Sequence, residues 1–307
     1  MSAPHSYYSR IIPLRKFKAD CEISLDRCRI RRLSQDEKRI IVDSVAFQMA
    51  WGAGFGDLLR DVDFVIASEL SEYRTSYDVV AALRVFKPKP VQNLPEIVFK
   101  IQNGNTVHVQ SCDFWMSLYE TTTGVYRLSA DEGKEFREFW HYFSGVKDFP
   151  FMRTAIERFS NVYRKGFQGD LLIDYMIALE ALFSDNSEGI GYKLGCRVPV
   201  LACEKIEERK RTREYVRTAY QIRSKLVHGS QEPYEKIVPK EMKKLARKVG
   251  RDEINFDTHF LIRMREIVQT VIYRYVIRLS EGRTRIAILE NLDNSLMGED
   301  SKTSFQE

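Results

Sequence analysis

GDLLIDYMIALEALF (169–183) and TREYVRTAYQIRSKLVHG (212–229) decide how the chain is read. The first is apolar all round at helical period, the mark of a helix at the centre of a bundle. The second turns Tyr215, Val216, Ala219, Tyr220, Ile222, Leu226 and Val227 toward a core, and Gly229 supplies a stop. Working outward, SADEGKEFREFWHYF (129–143) spaces Phe136, Phe139, Trp140 and Phe143 by three and four behind Ser129 as cap. TAIERFSNVYRK (154–165) continues the pattern, a helix is expected near 189–209 with a kink at Pro199, and a long amphipathic helix spans about 256–280. From about residue 129 onward the chain therefore reads as helical.

The N-terminal part reads differently. CEISLDRCRIRRL (21–33) alternates like a strand, and Ser34 with Glu37 has capping-box spacing ahead of an apolar run. DFVIASEL (63–70) and YDVVAALRVF (77–86) are further strand candidates. EIVFKIQNGNTVHVQS (96–111) reads as a hairpin, because Asn103-Gly104 supplies the positive φ angles of a tight turn. The expected fold class is α+β. A smaller β-rich or mixed α/β N-terminal domain (1–125) precedes an all-α helical bundle (126–298) and a disordered tail (299–307).

At 307 residues, 44% apolar and 12% aromatic, the chain has material for one or two cores, and 30% charge with 9 prolines excludes a collagenous or wholly disordered protein. No run approaches the roughly 18 apolar residues of a membrane span. The N-terminus has no apolar core of a secretory signal, so the expectation is a cytoplasmic protein with no membrane partner. Five cysteines, with Cys21/Cys28 and Cys196/Cys203 each seven apart, match no zinc knuckle; Cys196 and Cys203 read as packing residues of a reduced protein.

The net charge of +5 is unevenly held: residues 1–150 are neutral, 151–290 carry +8 and 291–307 carry −3. Lys205, Arg209, Lys210, Arg211, Arg213 and Arg217 cluster just upstream of Arg223 and Lys225, and a second run extends from Lys236 to Arg251. Such clusters attract polyanions. Interleaved Glu204, Glu207, Glu208 and Glu214 make a solvated helix face the alternative reading.

Motifs for other chemistry are missing. The histidines (His5, His108, His141, His228 and His259) are scattered, Asp61-Val62-Asp63 has no third ligand nearby, and no P-loop or nucleophile elbow occurs. Gly52, Gly54 and Gly56 lack the dinucleotide-site spacing and read as a loop. No metal or cofactor is expected. What remains is IRSKLVHG (222–229), with Arg223 and His228 about 140° apart around a helix and about 7.5 Å along it. One copy makes a poor clamp, whereas a two-fold axis would pool two Arg and two His in one cleft. A helix C-terminus favours imidazolium and burial opposes it, so His228 is suited to proton transfer near neutral pH. Arg223 would stabilise charge building on a phosphate, which together suits metal-free RNA cleavage. The alternative is a structural Arg223 and a helix-end His228. Glu180, a carboxylate in the apolar helix, needs a partner, and Arg223 is the first candidate.

LLIDYMIALEALFSD, GYKLGCRVPVLA and AYQIRSKLVHG, in that order, resemble the HEPN superfamily, specifically its Apea-like branch. The family pattern there is an ALEAL core, a Y-K-L segment and Y-x-[IL]-R-S-K-x-x-H-G. ILENLDNSLM (288–297) and ALRVFKP (82–88) resemble segments that accompany this branch. The resemblance covers about 150–297 and implies a helical bundle that dimerises through the motif helices. Many relatives are metal-independent endoribonucleases of toxin–antitoxin, abortive-infection and other anti-phage systems; others are non-catalytic binding or assembly modules. The catalytic pair carries over as Arg223 and His228. Ser224 and Glu180 act in support, and Lys205, Arg209, Lys210, Arg211, Arg213, Arg217 and Lys225 are candidate RNA contacts. Active relatives often have Asn or Asp where Ser224 stands, and some have Tyr where Ser230 stands. The implied partners are RNA, a second copy of the chain and a possible antitoxin or regulatory protein.

Overall fold

A computed structural model describes residues 6–44, 59–69, 73–89, 91–94, 96–102, 105–112, 124–164, 167–185, 188–227 and 232–296. The chain is mixed α+β and splits into two compact units, Met1–His141 and Tyr142–Glu307.

In the first unit β1 (Ser6–Arg15), β2 (Phe17–Ala19), β3 (Ile23–Ser24) and β4 (Cys28–Arg32) lead into helix α1 (Gln35–Asp43). Then follow β5 (Val62–Glu69), helix α2 (Tyr73–Phe86), β6 (Gln92–Asn93), β7 (Ile97–Gln102), β8 (Asn105–Cys112) and β9 (Tyr126–Leu128). The main sheet runs β3-β4-β5-β1-β7-β8 with every neighbouring pair antiparallel, and β6 also pairs with β1. The strand expected over 21–33 is the β3–β4 hairpin, with Ile23 opposite Ile30. The Ser34 capping box is present: Ser34 Oγ accepts from Glu37 N–H at 3.1 Å and Glu37 accepts from Ser34 N–H at 3.0 Å. Strands β7 and β8 close with Gln102 opposite Asn105. The turn residues Asn103-Gly104 and the Gly52–Gly56 loop lie outside the described residues, as does the tail 299–307.

One expected strand is a helix. YDVVAALRVF (77–86) lies in α2, with Val79, Val80, Ala82, Leu83 and Val85 almost wholly buried. A short apolar run has no period that separates a buried strand from a buried helix, and α2 is apolar around most of its surface because it lies against β1 and β5. Arg84, also buried, donates to Val91 O at 3.2 Å and to Asn93 Oδ1 at 2.8 Å.

The division between the two compact units lies at His141/Tyr142, inside α3 (Ala130–Val146). Strand β9 pairs in parallel with β2, Tyr126 stacks on Phe17 at 5.4 Å, and Phe136 and Phe139 of α3 pack on Phe86. Helix α3 starts on a second capping box, Ser129 with Glu132. Ser129→Ala is expected to lower stability by about 1 kcal/mol, read as a shift in urea midpoint; an unchanged midpoint would show that the box carries no load.

The second unit continues with α4 (Pro150–Asn161), a 3-10 turn (Val162–Arg164) and α5 (Gln168–Phe183). Next come α6 (Ile190–Ala202), α7 (Ile206–Val227), α8 (Tyr234–Val249), a π-turn (Phe256–Phe260), α9 (Leu261–Ser280) and α10 (Arg285–Leu296). Helix α5 is central, packing against α4, α6, α7 and α9. Its Leu172, Met176, Ala178, Leu179, Leu182 and Phe183 are fully buried. The helix expected over 189–209 is two helices: Cys203 is extended, its N–H still bonds Pro199 O, and its thiol lies 3.2 Å from Thr212 Oγ1. The apolar face of α6 cannot extend into the charged EKIEERK that follows, so the chain turns and restarts at Ile206. Among the described residues no helix is long and apolar enough to cross a membrane.

Candidate functional site

Glu180 stands in the last turn of α5 and Arg223 near the end of α7, and the packing of these helices brings them together. Arg223 Nη2 donates to Glu180 Oε2 at 3.3 Å, with both side chains about four-fifths buried. Arg223 Nε and Glu180 Oε1 are buried without a hydrogen-bond partner among the described residues. The pair thus keeps one free donor and one free acceptor where a fully structural fork would use both.

The turn that carries Glu180 is held firmly. The orphan carbonyls at the end of α5 are taken by other helices: Leu182 O accepts from Tyr275 Oη at 3.0 Å, Phe183 O from Arg197 at 2.6 Å, and Ala181 O and Ser184 O from Arg285 at 2.9 and 2.5 Å.

No family model, curated protein or solved structure matches the chain.

Burial pushes the Glu180 carboxyl above the usual range, and the nearby Arg223 charge pulls it back only in part. A pKa raised on folding makes the ionised group a cost, which grows as pH rises from the unfolded value of about 4.3 through the folded one. Glu180→Gln is expected to remove that negative slope, so variant and wild type diverge in urea midpoint as pH rises above about 4.3. Parallel profiles would refute a buried, raised carboxyl.

Glu241 shifts in the opposite direction. That side chain is 3% exposed, and burial works to raise it, yet hydrogen bonds from Lys225 (2.8 Å) and Lys244 (3.0 Å) hold its carboxyl below the usual range. Lys225, a candidate RNA contact, is thus tied to the junction of α7 and α8. Arg209 is likewise tied, donating Nε to Cys203 O at 2.9 Å. Lys210 pairs with Glu207 at 2.8 Å on the surface. Lys205, Arg211, Arg213 and Arg217 are exposed and make no salt bridge among the described residues. Ser224 is half-buried beside Arg223. His228, Gly229 and Ser230 lie outside the described residues, immediately beyond Val227.

Two features were not legible as sites in the sequence. Arg251, His259 and Arg263 line one concavity with Arg211, although they stand in the loop after α8, in the π-turn and on α9. Arg197 joins Asp185 and Asp293, residues with no sequence pattern linking them. Among the described residues no three His, Cys, Asp or Glu side chains converge as a metal site. Cys21, Cys28, Cys196 and Cys203 are free thiols; Cys196 and Cys203 are buried among packing residues.

Proposed function

We propose that the helical unit is a HEPN-type endoribonuclease that cuts RNA without a metal, through Arg223 and His228 pooled from two copies of the chain. The observation that carries this reading is the buried Arg223 guanidinium. It is aimed by Glu180 from a pinned helix end, retains a free Nε, and stands five residues before His228. In the reaction the 2′-oxygen forms a bond to the adjacent phosphorus while the bond from phosphorus to the 5′-oxygen breaks. One imidazole takes the 2′-OH proton and another returns a proton to the 5′-oxygen, leaving a 2′,3′-cyclic phosphate and a 5′-hydroxyl. Arg223 opposes the charge that accumulates on the phosphoryl oxygens. The cellular role that fits is a cytoplasmic toxin or anti-phage effector. The N-terminal unit would then sense a trigger, hold an antitoxin or position RNA. The test is incubation of the purified protein with RNA in excess EDTA: cyclic-phosphate ends are expected, and intact RNA at high enzyme concentration would end the proposal.

The Glu180–Arg223 bond also favours a second reading, a non-catalytic dimerisation or ligand-binding module in which the pair only joins α5 to α7. That reading requires Arg223→Ala to disturb folding or dimerisation while no preparation of the protein cleaves RNA.

A further inference from the structure

At the end of α7 remote from Arg223, the first turns of α7 meet the C-terminal end of α8, the π-turn and the start of α9. Arg211 precedes Arg223 by about 18 Å along the helix axis at 1.5 Å per residue. A concavity of about 440 Å³ opens there, lined by Arg211, Arg251, Arg263 and His259, with Glu208 and Glu266 at its edge. A second concavity of about 430 Å³ shares Arg211 and Val249 with it and adds Lys210, Arg213 and Lys248. Together they form one groove.

Six Lys and Arg line this groove against four Glu, a modest positive excess. Glu207 is paired with Lys210, Glu214 with Lys248 and Glu266 with Arg263. Glu208 is left as the lining carboxylate without a salt bridge among the described residues, and three lining arginines are in the same condition: Arg211, Arg213 and Arg251. The charge of Arg211 reaches Glu207 without forming a bond.

The apolar part of the lining is Tyr215, itself nearly buried, with Val249 and Ile262. Tyr215 stacks on Phe260 at 5.8 Å, and Phe260 stacks on Phe256 at 5.4 Å. Asn255 Oδ1 accepts from Asp257 N–H, Thr258 N–H and the Thr258 hydroxyl, locking the π-turn. With Phe256 and Phe260 buried, Thr258 and His259 are left on the groove side. Ile262, exposed, extends the apolar lining.

Unpaired arginines beside the apolar side chains of Tyr215, Val249 and Ile262 match a single-stranded nucleic acid, whose phosphates and unstacked bases are both available. A duplex offers phosphates, 2′-hydroxyls and base edges but keeps the faces of its bases stacked inside. We propose that this groove is a second RNA site, an anchor for single-stranded RNA outside the cleaved position. The proposal rests on the RNA reading of the helical unit and assigns Arg251, His259 and Arg263 to it.

The test uses the full-length His228→Ala protein in EDTA, so that binding is measured without cleavage. The probe is a fluorescein-labelled single-stranded RNA of about a dozen nucleotides. Adding Arg211→Ala and Arg251→Ala is expected to weaken binding about 10-fold and to flatten the salt slope by about 1.4, or about 0.7 for each of two phosphates. Removing the same charge from the outer face of α8, with Lys236→Ala and Lys243→Ala, is expected to change affinity less than about 2-fold. Ile262→Glu, which places a negative charge at the lining, must also weaken binding and carries the test alone if the arginine variant fails to fold. Equal losses from the two double variants, undiminished binding in the groove variants, or duplex RNA competing as well as single-stranded RNA would each overturn the proposal. If wild-type protein cuts no RNA while the groove variants still lose binding, the nuclease reading fails and the groove stands.

Discussion

His228→Ala is expected to lower the RNA cleavage rate by about 10²–10⁴-fold, the range for loss of a general acid/base, while leaving the melting transition in place. Arg223→Ala is expected to cost a similar factor, about 10²–10³, as loss of charge stabilisation in the transition state. The two variants should differ in stability. Arg223 is bonded to Glu180 at 3.3 Å in surroundings that already push that carboxyl up. Removing the guanidinium strands a buried carboxylate, and a loss of about 1–3 kcal/mol follows. Glu180→Gln on top of Arg223→Ala should recover most of that stability and none of the activity, which separates the structural share of Arg223 from its chemical share. Mixing Arg223→Ala and His228→Ala chains offers a test of the shared cleft. If the site is composite, mixed dimers regain activity that neither variant has alone. Wild-type rates from His228→Ala would refute the assignment outright.

The largest stability effect is expected at Arg197. Its guanidinium, 6% exposed, makes a bidentate bond to Asp293 at 2.8 and 2.7 Å, reaches Asp185 at 3.2 Å and donates to Phe183 O at 2.6 Å. It thereby joins α6 to α10 and to the end of α5, the turn that carries Glu180. Asp293 is the main cause of the further rise in the Arg197 pKa, so the charge is secure. Arg197→Ala is expected to destabilise by about 3 kcal/mol, because a buried carbonyl and two oriented carboxylates lose their donor together. Arg197→Lys keeps a charge and loses the fork, so an intermediate value is expected. Asp185 adds a pH signature. Hydrogen bonds from Lys193 first, then Arg197, hold its carboxyl well below the usual range. A depressed carboxyl stabilises above its unfolded pKa of about 3.9, and the contribution is lost as pH falls below that. Arg197→Ala should therefore show a weaker loss of stability on acidification than wild type. A change under about 1 kcal/mol would show that α10 is held by its apolar contacts, Ile288, Leu289 and Leu292, instead.

The link between these two residues explains why the second matters to function. Glu180 can aim Arg223 only if the end of α5 is fixed, and Arg197, Tyr275 and Arg285 fix it from three other helices. Arg197→Lys should accordingly lower cleavage more than its loss of stability alone accounts for.

Local sequence determined a good deal. The capping residues Ser34 and Ser129 set two helix starts, because a hydroxyl and a glutamate three residues apart satisfy backbone groups without help from elsewhere. The largely apolar run 169–183 required a central helix, and its buried Asp174 and Glu180 required cations nearby, met by Arg158 and Arg223; both follow from the cost of placing groups in the wrong solvent. Tertiary structure decided the rest. Whether 77–86 was strand or helix depended on β1 and β5 covering it, since an apolar run buried on all sides carries no period. Which basic residues stay available was likewise outside the sequence. Lys225 and Arg209 read the same as Arg211 and Arg213 along the chain, but the first two meet Glu241 and the Cys203 carbonyl, and the second two meet solvent. The groove joining Arg211 to Arg251 and Arg263, and the clamp joining Arg197 to Asp293, exist only because helices far apart in sequence pack side by side. Charge pairing is set by distance in space, and the spacing of charges along a chain does not contain it.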